Sequence, residues 1–404
     1  MHFIATCAFG LEKLVYDEIK KLGLWVIKTE DGRVTFTATG QNTSAPDTLA
    51  KEEISAMVRA NLWLRCSEQV QIKMAEFKAQ TFDDLFDQIN AVPWEKYIGR
   101  RDAFPISATS IKSLLHSEPA IQSIIKKAIV KRLLKAHSTE TLPENSGVIC
   151  QITVKANKDE FVVGLNTSGE SLHKRGYRRK ANIAPIKETL AAALVKLSDW
   201  TPARTLIDPF CGSGTILIEA AMIAQNIAPG LTRQFAFQQW PWIDQKMVLD
   251  LRHEARNAMK LAENLPIYGY DIDPEVLNIA QENAQKSGIF EIKNEELKTK
   301  NGGLTFKQSD FRDLDFSTFE NATFIANPPY GERLEDTIQV EHLYRELGKK
   351  FKQTRNCSLF LITSNENFPQ LFGRPADKNR KLFNGNIRCY LYSFLGIKNA
   401  SLKA

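Results

Sequence analysis

The 404-residue sequence lacks most of the marks that would set a special class of protein. Its six cysteines, Cys7, Cys66, Cys150, Cys211, Cys357 and Cys389, are scattered, with no C-x-x-C pair and no histidine cluster beside them. Neither a disulfide framework nor a zinc site is therefore expected, and all six read as reduced thiols. His173 and His342 have no paired ligands and take no metal role. No run of about 18 apolar residues is present, and the opening residues lack the basic start and cleavage site of a secretory signal. These absences lead to the expectation of a cytoplasmic protein with no membrane and no metal partner. Two cofactor motifs are missing as well. The G-x-G-x-x-G spacing of dinucleotide folds is absent, and no glycine-lysine-[Ser/Thr] follows a glycine-rich turn, so the dehydrogenase and phosphate-loop readings fall.

What is present describes a globular chain of two or three domains, 43% hydrophobic and 25% charged. The net charge of +6 is unevenly spread. Residues 100–180 hold 15 Lys or Arg against 7 Asp or Glu, the pattern of a polyanion-binding module joined to a near-neutral enzyme, although solvated helix faces would look the same. Within it, His173-Lys-Arg-Gly-Tyr-Arg-Arg-Lys180 reads as a basic connector whose Arg175, Arg178 and Arg179 would track phosphates, or as a solvated linker.

Hydrophobic periodicity predicts strands at 3–8 and 34–39, helices at 11–22 and 54–64, a strand near 70–74 and a helix from Thr81 that ends before Pro93. This resembles a ferredoxin-like lobe. A helix over 118–136 carries Ile121, Ile124, Ile125, Ala128, Ile129 and Leu133 on one side and lysines elsewhere, and strands are expected at 148–156 and 160–166. From Phe104 onward the segment resembles a THUMP domain, an RNA-binding module of RNA-modifying enzymes. Beyond it strand and helix alternate, which implies a parallel sheet covered on both faces, with strands at 205–207, 267–271, 305–308, 324–326 and 358–363. A last pair, 380–383 and 388–395, flanks Asn384-Gly385, a dipeptide favoured in type I′ turns.

Two motifs carry chemistry. Asp208-Pro-Phe-Cys-Gly-Ser-Gly-Thr215 follows the first of these strands and opens a helix; Gly212 and Gly214 permit a tight turn and close backbone approach to a ligand at the positive helix end. Cys211 inside this turn has no neighbouring base and reads as packing. Asp271 stands at the tip of the next strand, where a carboxylate can take both ribose hydroxyls or cap the following helix, as Asp273 could. Asp310 could accept from an adenine amine while Phe311 packs on the ring, or it could cap. The fourth strand ends in Asn327-Pro328-Pro329-Tyr330. There the Asn327 amide oxygen and the Pro328 carbonyl can accept from an exocyclic NH2 while the Tyr330 ring stacks on a base. The prolines remove two backbone donors, so the loop offers acceptors.

With these motifs in order, the whole chain resembles the THUMP-domain RNA methyltransferases, nearest to the bacterial 23S rRNA guanine-N2 methyltransferases. The resemblance implies an α/β architecture: a class I (Rossmann-like) S-adenosylmethionine-dependent methyltransferase domain over 167–404, after a ferredoxin-like lobe over 1–65 and a THUMP domain over 66–166. It implies S-adenosyl-L-methionine as cofactor, held by Asp208, Phe210, Gly212, Gly214, Thr215, Asp271, Ile272, Asp310, Phe311 and Asn327. Catalysis falls to Asn327, Pro328 and Tyr330, and the partner is RNA, ribosomal first and transfer RNA second. One departure is the 62 residues between Asp208 and Asp271, where about 20 is usual in dinucleotide folds. The excess over 227–262 is expected to be an insertion whose Phe235, Phe237, Trp240 and Trp242 serve as core. The same loop also serves enzymes acting on adenine N6, cytosine N4 or a glutamine amide. A DNA adenine methyltransferase and a catalytically decayed RNA-binding factor are therefore the competing functions.

Overall fold

The computed structural model describes residues 1–40, 51–143, 147–178, 186–260, 265–287, 290–293, 296–299, 302–331 and 334–396. Two sheets organise them. The N-terminal half supplies β1 (Phe3–Cys7), α1 (Glu12–Lys21), β2 (Trp25–Glu30), β3 (Arg33–Thr37), α2 (Lys51–Trp63), β4 (Ser67–Lys78), α3 (Phe82–Ala91), β5 (Ile106–Ile111), α4 (Glu118–Ala136), β6 (Ile152–Asn157) and β7 (Glu160–Asn166). Its strands form one seven-stranded sheet in the order β2-β3-β1-β4-β7-β6-β5. The twelve-residue β4 pairs with β1 over its first half and with β7 over its second, so one strand joins the ferredoxin-like lobe to the segment beyond it. α4 covers the far end with Ile121, Ile125, Ala128, Ile129 and Leu133 buried, as its periodicity predicts. α3 opens with a capping box in which Thr81 and Asp84 satisfy each other's backbone N–H.

The C-terminal half supplies α5 (Glu188–Leu197), β8 (Leu206–Asp208), α6 (Thr215–Ala224), α7 (Gln245–Asn257), β9 (Ile267–Asp271), α8 (Pro274–Lys286), β10 (Phe290–Lys293), β11 (Glu296–Thr299), β12 (Gly302–Gln308), β13 (Thr323–Ala326), α9 (Leu334–Phe351), β14 (Ser358–Thr363), α10 (Phe368–Phe372), β15 (Lys378–Asn384) and β16 (Ile387–Phe394). Their sheet runs β10-β11-β12-β9-β8-β13-β14-β16-β15. β12, β9, β8, β13 and β14 are mutually parallel. Every residue of β8, β13 and β14 is buried, as a central parallel strand covered on both faces requires. The order reverses at β8, where successive strands leave in opposite directions and open a crevice at their carboxyl ends.

Several expectations change, and β5, β10 and β11 are strands that were not expected. β2 was not expected, because its exposed side chains leave it without the alternating apolar face that marks a strand. The β15–β16 turn consists of Gly385 and Asn386 rather than Asn384 and Gly385. Asn384 pairs with Ile387, and only Gly385 has a positive φ, +62°, which is the II′ pattern instead of I′. Arg175 of the basic connector is 1% exposed and cannot meet solvent phosphate; Arg179 lies outside the described residues.

The described part of the 227–262 stretch, residues 227–260, is the joint between the halves. Gly230 N–H donates to the Leu62 carbonyl at 2.9 Å, Phe237 N–H to Thr167 at 3.1 Å, and the Trp240 and Trp242 indoles to Ile149 and Tyr97, each at 3.3 Å. The Arg233 guanidinium gathers the carbonyls of Ser168, Glu170, Ser171 and Lys174. A Cβ on Gly230 would sit 2.8 Å from the Asn61 and Leu62 backbone, so this approach needs glycine. Phe235, Phe237 and Trp240 are buried, in line with their reading as core.

Candidate active site

Four carboxyl strand ends converge on the crevice. Asp208 closes β8, Asp271 closes β9, Asp310 follows β12 by two residues, and Asn327 follows β13 by one. The glycine turn between β8 and α6 is held in place from below. Cys211 N–H donates to the Tyr270 carbonyl at 2.9 Å, and Gly212 N–H donates to Asp271 Oδ2 at 2.9 Å. Gly212 and Gly214 adopt φ of +51° and +76°. At Gly214 a Cβ would sit 2.8 Å from the Phe306 ring, whereas nothing lies within 4 Å of one built on Gly212. Gly214 is thus required by packing, and Gly212 faces open space into which a ligand can approach the backbone. Gly269 on β9 is a requirement that sequence reasoning missed: a Cβ there would strike Leu217 at 2.6 Å and Cys211 Sγ at 3.0 Å.

Asp208 is 1% exposed, and its Oδ1 accepts from Phe210 N–H at 3.0 Å. Burial holds its carboxyl up at about 8; the Phe210 bond opposes this and the nearby Asp271 charge adds to it. Burial likewise pushes the Cys211 thiol well up, with Asp208 and Asp271 adding to the effect, so it is an inert packing group. Asp271 is half-buried and does not cap α8: its Oδ1 accepts from Asp273 N–H at 3.1 Å, and Asp273 is the residue that caps, through Glu275 N–H at 2.8 Å. Ile272 beside it is 61% exposed, an apolar surface that no described neighbour covers. The Asp310 carboxylate is gripped by the Arg312 guanidinium, which with the Arg312 backbone N–H holds it below the usual carboxylate range. Phe311 is buried, with its ring centroid 5.1 Å from that of Phe210.

In the Asn327 loop the Tyr330 hydroxyl donates to Asn327 Oδ1 at 2.7 Å. Burial, then the Cys389 side chain, pushes that hydroxyl's pKa up. The loop is braced by a residue the sequence did not single out. Tyr344 on α9, fully buried, donates to the Pro329 carbonyl at 2.8 Å and lies 2.9 Å from Thr363 Oγ1 at the end of β14. Nothing in the spacing marks Tyr344, because it reaches the loop only through the packing of α9. A second missed group lies under α6. Glu219, one turn beyond Thr215 and wholly buried, accepts from Arg175 Nε at 2.7 Å and from the Tyr177 hydroxyl at 2.9 Å, while Arg175 Nη2 donates to the Arg65 carbonyl at 2.8 Å. The helix that carries the glycine turn is thereby tied to the N-terminal half.

A reversed parallel sheet with a glycine turn after its first strand and an Asn-Pro-Pro-Tyr loop after its fourth is the framework of a Rossmann-like methyltransferase. Residues 175–393 match the RMKL-like methyltransferase domain, residues 2–43 the RlmL ferredoxin-like domain, and residues 79–165 the THUMP domain. The chain belongs to this family of RMKL-like methyltransferases bearing a THUMP domain. It is 41% identical over 392 residues to "Putative RNA methyltransferase YpsC" of Bacillus subtilis, covering 97% of this chain and 95% of that protein. It is 32% identical to "Ribosomal RNA large subunit methyltransferase K/L" of Photobacterium profundum; 97% of this chain aligns, but it spans only 52% of that longer relative. Among solved structures, "SMU.472, a putative methyltransferase complexed with SAH" superposes with a TM-score of 0.85 at 41% identity, over 98% of each chain.

Proposed function

We infer that the protein transfers a methyl group from S-adenosyl-L-methionine to an exocyclic amine of RNA, with N2 of a guanine in 23S rRNA as the target. The convergence of Asp208, Asp271, Asp310 and Asn327 at the reversal of the sheet carries this reading. The residues fit the cofactor: Gly212 leaves open space above its backbone, Asp271 keeps lone pairs for ribose hydroxyls, and Ile272 offers an uncovered apolar face. When bound, S-adenosylmethionine supplies a methyl already activated on a sulfonium sulfur. The protein's part is alignment and exclusion of water. Asn327 Oδ1 and the Pro328 carbonyl accept the two N–H bonds of the amine and so orient its lone pair. The Tyr330 ring supplies the stacking face once its hydroxyl gives up Asn327 to the amine, and the Tyr344 bond to the Pro329 carbonyl braces the loop.

RNA as substrate is supported by the THUMP match and by the names of the relatives; ribosomal RNA is supported by the K/L relatives in particular. Transfer RNA remains the second substrate and adenine N6 the second target atom, since the loop accepts any planar amine. We assign the ferredoxin-like lobe to 1–65, the THUMP domain to 66–166 and the catalytic domain to 167–404, and place the enzyme in the cytoplasm. Among the described residues no helix is long and apolar enough to cross a membrane. Nucleoside mass spectrometry of ribosomal and transfer RNA from a deletion strain is the decisive test. Loss of N2-methylguanosine from 23S rRNA, restored by the wild-type gene and not by Asn327→Ala, is expected. Loss confined to transfer RNA, or loss of N6-methyladenosine, would reassign the substrate.

A further inference from the structure

Between the turn that joins β1 to α1 and the β15–β16 hairpin lies an open cleft of about 390 Å³, lined by Phe9, Glu68, Lys187, Phe383 and Gly385 among others. Phe9 is 46% exposed, yet the turn that displays it is held on three sides. Glu12 accepts from Gly10 N–H and from Gly32 N–H, both at 2.9 Å, and Arg380 of β15 donates to the Gly10 carbonyl at 3.0 Å. Gly10 has φ +91°, and a Cβ on it would sit 2.8 Å from the Lys381 carbonyl, so lobe and hairpin touch backbone to backbone. A large apolar ring kept in water by a fixed turn costs hydration free energy and no ordering entropy on binding, the usual composition of a recognition anchor.

The surroundings say what would bind. Phe383 meets Phe9 edge to face, with centroids 6.1 Å apart, and Lys381 Nζ lies 5.6 Å from the Phe383 centroid. Phe383 is therefore flanked by Phe9 and a cation, which leaves the exposed Phe9 ring as the open stacking face. Lys378, Arg380 and Lys381 are exposed on the same hairpin, where Arg388 is paired with Glu366, and Lys187 across the cleft is 42% exposed beside Glu68. The one acid in the lining, Glu68, is held at about 2 against the pull of burial. His173, Ser171, Lys187 and Thr189 stabilise its negative charge, which Lys187 Nζ balances from 3.7 Å away. The hairpin also leads to the chemistry. Asn384, next to Phe383, and Cys389 on the facing strand stand near the Tyr330 hydroxyl, which donates to Asn327.

We propose that this cleft seats the single-stranded RNA that flanks the target nucleotide, with one base stacked on Phe9 and its phosphates facing Lys187, Lys381 and Arg380. Aromatic stacking with cations along the backbone is how single strands are held without reading their sequence. The proposal rests on the RNA methyltransferase reading above. It places the RNA path across the ferredoxin-like lobe as well as the THUMP domain, and it gives the lobe a direct role at the catalytic loop.

The test uses the full chain, total RNA purified from a strain lacking the gene, and a short fluorescein-labelled single-stranded RNA of mixed sequence. Phe9→Ala is expected to raise KM for the total RNA about tenfold and to weaken binding of the labelled strand, with kcat and S-adenosylmethionine affinity kept. Phe9→Trp should restore both, and Lys381→Ala should flatten the salt dependence of binding. If the wild-type enzyme methylates the RNA and Phe9→Ala leaves KM and strand binding unchanged, the cleft is not an RNA seat, and a protein-binding role would replace it. If the wild-type enzyme transfers no methyl to any RNA, the RNA reading itself fails and this proposal with it.

Discussion

Tyr330 and Asn327 occupy each other: the hydroxyl of the one donates to the amide oxygen of the other at 2.7 Å, so the acceptor we propose for a substrate amine is capped in the free protein. A base that enters must exchange one hydrogen bond for another while it gains the ring as a stacking surface. Breaking a neutral bond of this kind costs about 0.5 to 1.5 kcal/mol, and stacking returns about 1 to 3 kcal/mol. The second quantity outweighs the first.

Tyr330→Phe keeps the ring and removes the competing bond, so kcat/KM for RNA should stay within a few-fold of wild type. Tyr330→Ala removes the stacking face and should lower it by about ten- to a hundredfold. Parallel single-turnover measurements on the two variants decide the role. Equal damage from both would mean that the hydroxyl, not the face, does the work.

Asp271→Asn keeps the shape of the side chain and loses the charge that accepts from the Gly212 and Asp273 N–H groups and, as proposed, from ribose hydroxyls. A lost charged hydrogen bond suggests about 1.5 to 3 kcal/mol, read as a ten- to hundredfold weaker affinity for S-adenosylmethionine in titration calorimetry. The α8 cap should survive, because Asp273 supplies it. Undiminished affinity in a folded Asp271→Asn protein would move the ribose contact elsewhere.

The parts of this site that were legible in the sequence are those whose chemistry is local. The glycine turn, the Asp271 tip and the Asn-Pro-Pro-Tyr loop each state their geometry within a few residues, and β8 and β13 are buried enough to read as short apolar runs. β9 and β14 fall on the expected 267–271 and 358–363. What failed was pairing at a distance. Arg175 read as one more cation in a basic stretch because its partner Glu219 lies 44 residues away on α6. Charge counting sees composition and cannot see burial. Tyr344 was hidden for the same reason, and β2 because an edge strand with exposed side chains carries no period-2 signal.

The Arg175–Glu219 pair yields a prediction opposite to that for a phosphate contact. Removing one member of a wholly buried pair strands the other charge and costs about 3 to 5 kcal/mol. Arg175→Met and Glu219→Gln should each lower the melting temperature sharply, and the double variant should lose less than the sum of the two. Meanwhile the slope of log affinity for RNA against log salt should be unchanged in whatever Arg175→Met protein remains folded. Additive losses in the double variant, or a flattened slope, would return Arg175 to the surface.

Asp208 makes stability depend on pH in a direction opposite to that of a salt-bridged carboxylate. Its folded value of about 8 lies above the 3.8 of an unperturbed aspartate. As pH rises from 3.8 the unfolded chain releases this proton while the folded protein keeps it. The folded state then binds more protons, and stability falls with pH. The contribution is fully present below 3.8 and is lost as pH rises through about 8. Asp208→Asn retains an oxygen for the Phe210 N–H and cannot ionise, so its melting temperature should lack this fall. Wild type and variant should melt close together near pH 4, and the wild type should melt several degrees lower above pH 8. Parallel melting curves across that range would show that Asp208 is ionised in the folded protein, and its burial would then have to be offset by a partner other than Phe210.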